Sequence, residues 1–311
     1  MKQVSYTVLA ALAIGCGYLA APARGQFVYV ANVSSNTVSG FSINSTTGAL
    51  TAVPGSPFAT GNVPFSVAVD PEAKFVYVAN FSDGTVSGYS INSATGALTQ
   101  ITGSPFATGH GPISVTVDPT SEFAYVVNYS DQTVSGYTID STTGALTEVS
   151  GSPWATGSFP QTLAVDPTVQ YAYVANYGDD TVSGYSIDKT TGALTPITGS
   201  PFATEKAPMA IAVDLTGQFA YVANSKSNTV STYSINSGTG ALTQVQVHTT
   251  QRKAHPFALA VDPAAQYLYV ANVNTRSVSS YSINHKTGAL KLVTGSPFAA
   301  GIEPESIAVT R

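Results

Sequence analysis

Apolar and polar positions alternate along this chain in a pattern that returns every 48 residues, as FVYVAN at 27 and 75, FAYVVN at 123, YAYVAN at 171, FAYVAN at 219 and YLYVAN at 267. Each unit holds four short runs of β type, which in the first are FVYVAN (27–32), TVSGFSIN (37–44), GALTAV (48–53) and FSVAVD (65–70). Period-two alternation bounded by Asn, Ser, Asp, Gly and Pro clusters predicts strands joined by tight turns. Four strands in a unit of this length are what one blade of a β-propeller needs.

A solenoid is the competing repeat architecture. The first FVYVAN lacks the SVAVD-type run that precedes every later copy, and a run of that type, ESIAVT, stands at 305–310. In a ring that last run completes the first blade and leaves no unpaired edge, whereas a solenoid would carry atypical caps at both ends. The expected fold is therefore all-β: a six-bladed propeller of four-stranded repeats over residues 27–311, closed by its C-terminal strand.

Several recurring residues look chemical but fit structure better. Tyr29, Tyr77, Tyr125, Tyr173, Tyr221 and Tyr269 hold one register and are assigned to packing between blades. Gly40, Gly88, Gly136 and Gly184 fall inside strands, where the missing side chain admits a neighbouring aromatic ring. Asp70, Asp118, Asp166 and Asp262 each precede Pro and are assigned to type I turns.

Composition narrows the class. Charged residues are only 9% of the 311, net charge is −5, and no Lys/Arg run occurs, which argues against a nucleic-acid partner. Residues 1–24 combine Lys2, an apolar stretch and the small-residue Ala21–Ala23 segment of a secretory signal, so an extracytoplasmic location is expected. The only cysteine, Cys16, sits in LAIGC, a loose lipobox that leaves a lipid anchor or an ordinary cleaved signal as alternatives. Neither version supplies a disulfide, and no other segment is long and apolar enough for a membrane span.

The motifs YVAN, NTVSGFSI, TGALT and PFSVAVDP together resemble YVTN-type repeats and the lactonase-family β-propellers, over residues 27–310. The resemblance implies a propeller fold, and it brings in 6-phosphogluconolactonase-like enzymes and cyclic-muconate cycloisomerases. Those enzymes are generally seven-bladed and use charged groups and histidines around the central channel. Six units are found here, and no motif carries catalytic residues across position by position. YVTN repeats also occur in cell-envelope proteins.

Comparing the six copies with one another separates generic from individual loops. The loops after YVAN (VSSN, FSDG, YSDQ, YGDD, SKSN, VNTR) and the ends of the blade-crossing loops vary most. Because strands alternate in direction, both sets fall on one rim, the place where function resides on a repeat scaffold. The largest departure is VHTTQRKAH at 247–255, where the other copies read GSPFATG or close to it. The expected site gathers His255, Glu303 and Glu305 as acid–base candidates and Arg252, Lys253 and Lys206 as holders of an anionic group, with His110 across the channel. Drifted, solvated loop charges are the bland alternative.

His248 and His255 lie too far apart in sequence to propose as a metal pair, and no cofactor is expected. Asp131, Asp179 and Asp180 spell no complete Ca²⁺ ligand set and are assigned to solvated turns. The expected partner is a small anionic or sugar-like molecule, or an envelope protein surface. A ligand-binding protein, a lactone hydrolase and a structural repeat protein remain the three open classes.

Overall fold

A computed structural model of the protein describes residues 12–14 and 26–307. They form six antiparallel sheets in chain order, with no helix. The first sheet consists of β1 (Leu12–Ile14), β2 (Phe27–Asn32), β3 (Thr37–Ile43), β4 (Leu50–Ala52) and β5 (Phe58–Ala59), where β5 joins the far end of β3. The later sheets open with the inner strands Pro64–Val69, Pro112–Val117, Pro160–Val165, Pro208–Val213 and Pro256–Val261. Their second strands coincide with the YVAN motifs.

The repeated residues explain the packing. Facing sheets bury a common set of side chains: Tyr125 and Val134 of the third sheet, for example, pack on Leu163, Val174 and Tyr185 of the fourth. Five of the six motif tyrosines then donate from Oη to a glycine carbonyl of the next sheet. The bonds are Tyr29 to Gly96 (2.7 Å), Tyr77 to Gly144 (2.7 Å), Tyr125 to Gly192 (2.9 Å), Tyr173 to Gly240 (2.7 Å) and Tyr221 to Gly288 (3.5 Å). Burial raises the phenol pKa of all five, so they stay protonated donors.

The sixth tyrosine departs from the set. Tyr269 is half-buried and has no such bond among the described residues, and the matching Gly48 has open space around it. Leu50 is 54% exposed, against 7% for its counterpart Leu98, and Tyr267 is 38% exposed against 5% for Phe75. The first and sixth sheets thus present two complementary halves of an interface that the chain makes five times elsewhere.

The expected closure strand is not seen: residues 305–307 are not in a strand, and the rest of that run lies outside the described residues. The inner edge of β2 is instead paired with β1, Leu12 opposite Val30 and Ile14 opposite Val28. A strand edge offers unpaired N–H and C=O groups to any extended segment within reach, and here a stretch read from sequence as signal peptide takes that place. The rest of that segment, with Cys16 and its lipobox, lies outside the described residues. Among the described residues no helix is long and apolar enough to cross a membrane.

The third strands show why glycine recurs there. A Cβ on Gly136 would meet the Trp154 ring at 2.6 Å, and one on Gly184 the Phe202 ring at 2.9 Å. In the sixth sheet Ser280 takes that place, and Phe298 is 50% exposed. The turn aspartates also perform as expected. The Asp118 carboxylate accepts from the backbone N–H groups of Glu122 (2.8 Å) and Phe123 (2.7 Å), closing the turn between the first two strands.

Candidate functional site

The individual rim is built on a buried polar peg. The Asn that ends YVAN donates from Nδ2 into the next strand, Asn80 reaching Thr85 Oγ1 (3.1 Å) and Ser87 Oγ (2.9 Å), while its Oδ1 accepts from Gly61 N–H (3.2 Å) in the incoming crossing loop. The loops that follow then hold the ends of the crossing loops. Backbone N–H groups of Asn62, His110 and Ser158 donate to Asp83 (2.7 Å), Asp131 (2.7 Å) and Asp179 (2.6 Å). Asp180 accepts from Ala207 N–H at 2.7 Å, and Asn228 from His255 N–H at 3.0 Å. These bonds confirm that the two variable loop sets share one rim.

The same bonds assign the aspartates a structural task. Asp131, Asp179 and Asp180 anchor loops, and no group of three or more His, Cys, Asp or Glu suited to a metal occurs among the described residues. The amide of His110 lowers the Asp131 pKa, helped by the His110 ring, whose Nδ1 lies 3.0 Å from Oδ2. His110 is therefore tied to its own loop pair, three sheets away from His255.

His255 sits in the left-handed region (φ 52°) immediately before Pro256, half-buried, its ring stacked on Phe257 with centroids 6.5 Å apart. Partial burial lowers its pKa, and the Lys226 ammonium lowers it further, so the imidazole is neutral near pH 7. His248 has another role: it lies on the long outer strand Leu242–Thr249 and packs edge-on against Tyr281 at 4.8 Å. That unbroken strand is what the departure at 247–255 builds. Without the Gly-Ser-Pro turn, the fifth sheet keeps one continuous fourth strand where the others have two fragments.

Glu305 follows Pro304 at the repeat position filled by Phe65, Ile113, Gln161, Met209 and Phe257. Its Oε2 is buried without a hydrogen-bond partner among the described residues. Burial, reinforced by Glu303, pushes its pKa up to about 7. No hydrogen bond or ion pair among the described residues joins His255 to Glu303 or Glu305. Arg252, Lys253 and Lys206 are exposed, with Lys253 in a left-handed conformation and the Lys206 amide donating to Ser227 Oγ at 2.8 Å.

Charge is unevenly spread around this rim. The loops of the fifth and sixth sheets carry Lys206, Lys226, Arg252, Lys253 and Arg276, while those of the first four carry Asp83, Asp131, Asp179, Asp180 and no Lys or Arg. Lys226 lies over the Tyr177 ring, 4.7 Å from its centroid, where the two arcs meet. Sequence reasoning passed over both Lys226 and the rim aromatics. The signal was present in the residue that follows YVAN, which reads Val33, Phe81, Tyr129, Tyr177, Ser225 and Val273 across the copies.

Sheets in chain order, latched tyrosine to glycine, with one individual rim and one generic face, define a β-propeller-type protein of the all-β class. The family described as "Lactonase, 7-bladed beta-propeller" matches residues 16–302, and the chain belongs to that family. Six sheets are seen among the described residues, one fewer than the family's description gives.

Solved structures share the fold. A candidate 6-phosphogluconolactonase from Bacteroides uniformis aligns with a TM-score of 0.75 at 21% identity, over 89% of this chain and 83% of that one. A periplasmic gluconolactonase from Pseudomonas aeruginosa aligns at 0.74 and 18% identity, over 95% and 86%. A Lactobacillus plantarum protein gives 0.75 at 25% identity, over 95% and 86%. A comparison with curated proteins finds no match.

Proposed function

We propose that this protein is an extracytoplasmic binding protein whose rim holds a small anionic or sugar-like molecule at the mouth of the central channel. The observation that supports it is the gathering of five Lys and Arg on the rim loops of two adjacent sheets beside His255, in a chain with so few charges. Guanidinium and ammonium groups there are placed to receive a carboxylate or phosphate. An envelope protein surface is the other occupant this charge pattern accommodates. In the same reading, residues 305–310 take the place of β1 beside β2 once the signal segment is removed. The first and sixth sheets then meet as six blades, with Glu303 and Glu305 drawn to the channel mouth.

Hydrolysis of a lactone is the second reading, favoured by the unpaired Glu305 oxygen and by family membership. A neutral imidazole and a carboxyl group protonated near neutrality are matched to opposite tasks. Water attacks the ring carbonyl and gives its proton to His255. As the ring C–O bond breaks, the leaving oxygen takes the Glu305 proton, and the product is the open hydroxy acid.

Calorimetry with gluconate and a proton-release assay with glucono-lactone test both readings on the chain lacking residues 1–24. Binding should weaken at least tenfold in the Arg252→Ala/Lys253→Ala double variant, and affinity that survives it would discard the anion site. Lactone turnover that is unchanged in His255→Ala would discard the hydrolytic reading.

A further inference from the structure

On the arc of the rim opposite the cations, aromatic rings from three consecutive sheets form a continuous strip. Phe65 and Phe81 have centroids 5.1 Å apart, Phe81 and Tyr129 6.4 Å, and Tyr129 and Phe159 5.2 Å, the last pair stacked at 30°. Of these rings the repeat period brings only Phe81 and Tyr129 to equivalent positions. Phe81 and Tyr129 come from loops after YVAN, Phe65 from an inner strand, and Phe159 from a crossing loop.

Phe159 is the informative member. It is 44% exposed, and its backbone lies in the left-handed region at φ 51°, where a bulky side chain is disfavoured. The equivalent residue in the preceding repeat is Gly111, with φ 66°. Val63, Ala207, His255 and Glu303 share that left-handed backbone at the same position of their repeats, so the conformation belongs to the loop, and what sets Phe159 apart is a large aromatic ring left facing water. An exposed phenyl ring stacked on a second rim aromatic marks a surface kept for contact.

What surrounds the strip identifies its occupant. Asp83, Asp131 and Asp179 belong to the same rim loops and are exposed; each holds a crossing-loop amide, while Asp83 also accepts from the Asn62 side chain and Asp131 faces the His110 ring. Rings alternating with carboxylates suit a ligand with apolar C–H faces and hydroxyl edges. The faces stack on the rings, and the hydroxyls donate charge-assisted hydrogen bonds to the carboxylates. The same carboxylates repel polyanions. We propose that this strip is a binding platform for a neutral glycan chain, with consecutive pyranose rings lying along Phe81, Tyr129 and Phe159. It rests on the rim being the working face but not on hydrolysis or on the cationic arc.

The test is calorimetric titration of the chain lacking residues 1–24 with cellohexaose and with chitohexaose, beside an oligogalacturonate of equal length. At least one neutral hexasaccharide should bind, and the oligogalacturonate should bind at least tenfold more weakly. Phe159→Gly should keep or raise the thermal midpoint, since it relieves the left-handed conformation, yet weaken glycan binding at least tenfold. Phe81→Leu should weaken it as well. His255→Ala should leave glycan affinity unchanged, so loss of the channel-mouth site and loss of the platform give different results. Failure of both neutral glycans to bind, or binding undiminished in Phe159→Gly, would overturn the proposal.

Discussion

Replacing Tyr77 by Phe removes one oxygen from the interface between the second and third sheets and leaves the ring in place. That oxygen donates to the Gly144 carbonyl at 2.7 Å, with both residues buried. A net intramolecular hydrogen bond contributes about 0.5–1.5 kcal/mol, and a buried carbonyl left unpaired raises the loss to about 1–3 kcal/mol. For a chain of this size that is a fall in thermal midpoint of roughly 2–6 °C, read by circular dichroism or calorimetry. Tyr221→Phe is the internal control. Its bond to Gly288 is 3.5 Å long, so its loss should cost distinctly less. Tyr77→Phe and Tyr221→Phe melting together, or Tyr77→Phe melting with the wild type, would refute the argument that these phenols latch the sheets. Tyr269→Phe extends the test to ring closure. With β1 seated beside β2 its phenol has no partner among the described residues and the substitution should be neutral. In the chain lacking residues 1–24, closure would bring Gly48 within its reach, and the cost should rise to that of the other tyrosines. Neutrality in both forms would mean that the sixth and first sheets do not meet.

Other substitutions probe separate parts of the fold and rim. Gly136→Ala puts a methyl group 2.6 Å from the Trp154 ring, so the only tryptophan must move outward; its emission should shift to the red and stability fall by about 1–3 kcal/mol. Asp118→Ala leaves three turn amides, those of Thr120, Glu122 and Phe123, without their acceptor and should cost about 1–3 kcal/mol in a urea titration. Glu305 has its folded pKa raised to about 7 by burial and by Glu303, above that of the unfolded chain, so its contribution to stability is present in acid and lost as pH rises through about 7. Glu305→Gln should therefore raise the thermal midpoint relative to wild type at pH 8 and leave it unchanged at pH 4, and equal effects at both would remove the buried-carboxyl argument. Gluconate binding at the cationic arc should weaken as salt rises, whereas glycan binding on the aromatic strip should not.

What the sequence made legible is what it repeats. Six copies put Tyr29 and its counterparts, the Asp118 turn and the Gly136 gap into view because each contact recurs with a fixed offset, and the structure fills each as its register requires. Features that pair a side chain with a loop amide, or that occur at one place only, stayed hidden. The partners of Asp131 and Asp179, like that of Asp83, are backbone amides 21 residues upstream in a crossing loop, so carboxylates that anchor His110 and Ser158 looked like solvated turn residues. The pairing of β1 with β2 depends on an unfilled edge, and nothing in the apolar run around Leu12 distinguishes a strand from a secretory segment. The rim follows the same logic. Repetition fixes where the loops emerge and leaves their contents unconstrained, so a ligand site has to be assembled from residues that break the pattern on neighbouring sheets. His255 breaks it in charge and Phe159 in size, at equivalent positions of two repeats, both held in the same left-handed backbone by the loop they end. That position is left-handed in every repeat, with Val63, Gly111, Ala207 and Glu303 in the other copies, so the loop fixes the backbone and leaves the side chain presented to the rim free to differ from one arc to the next.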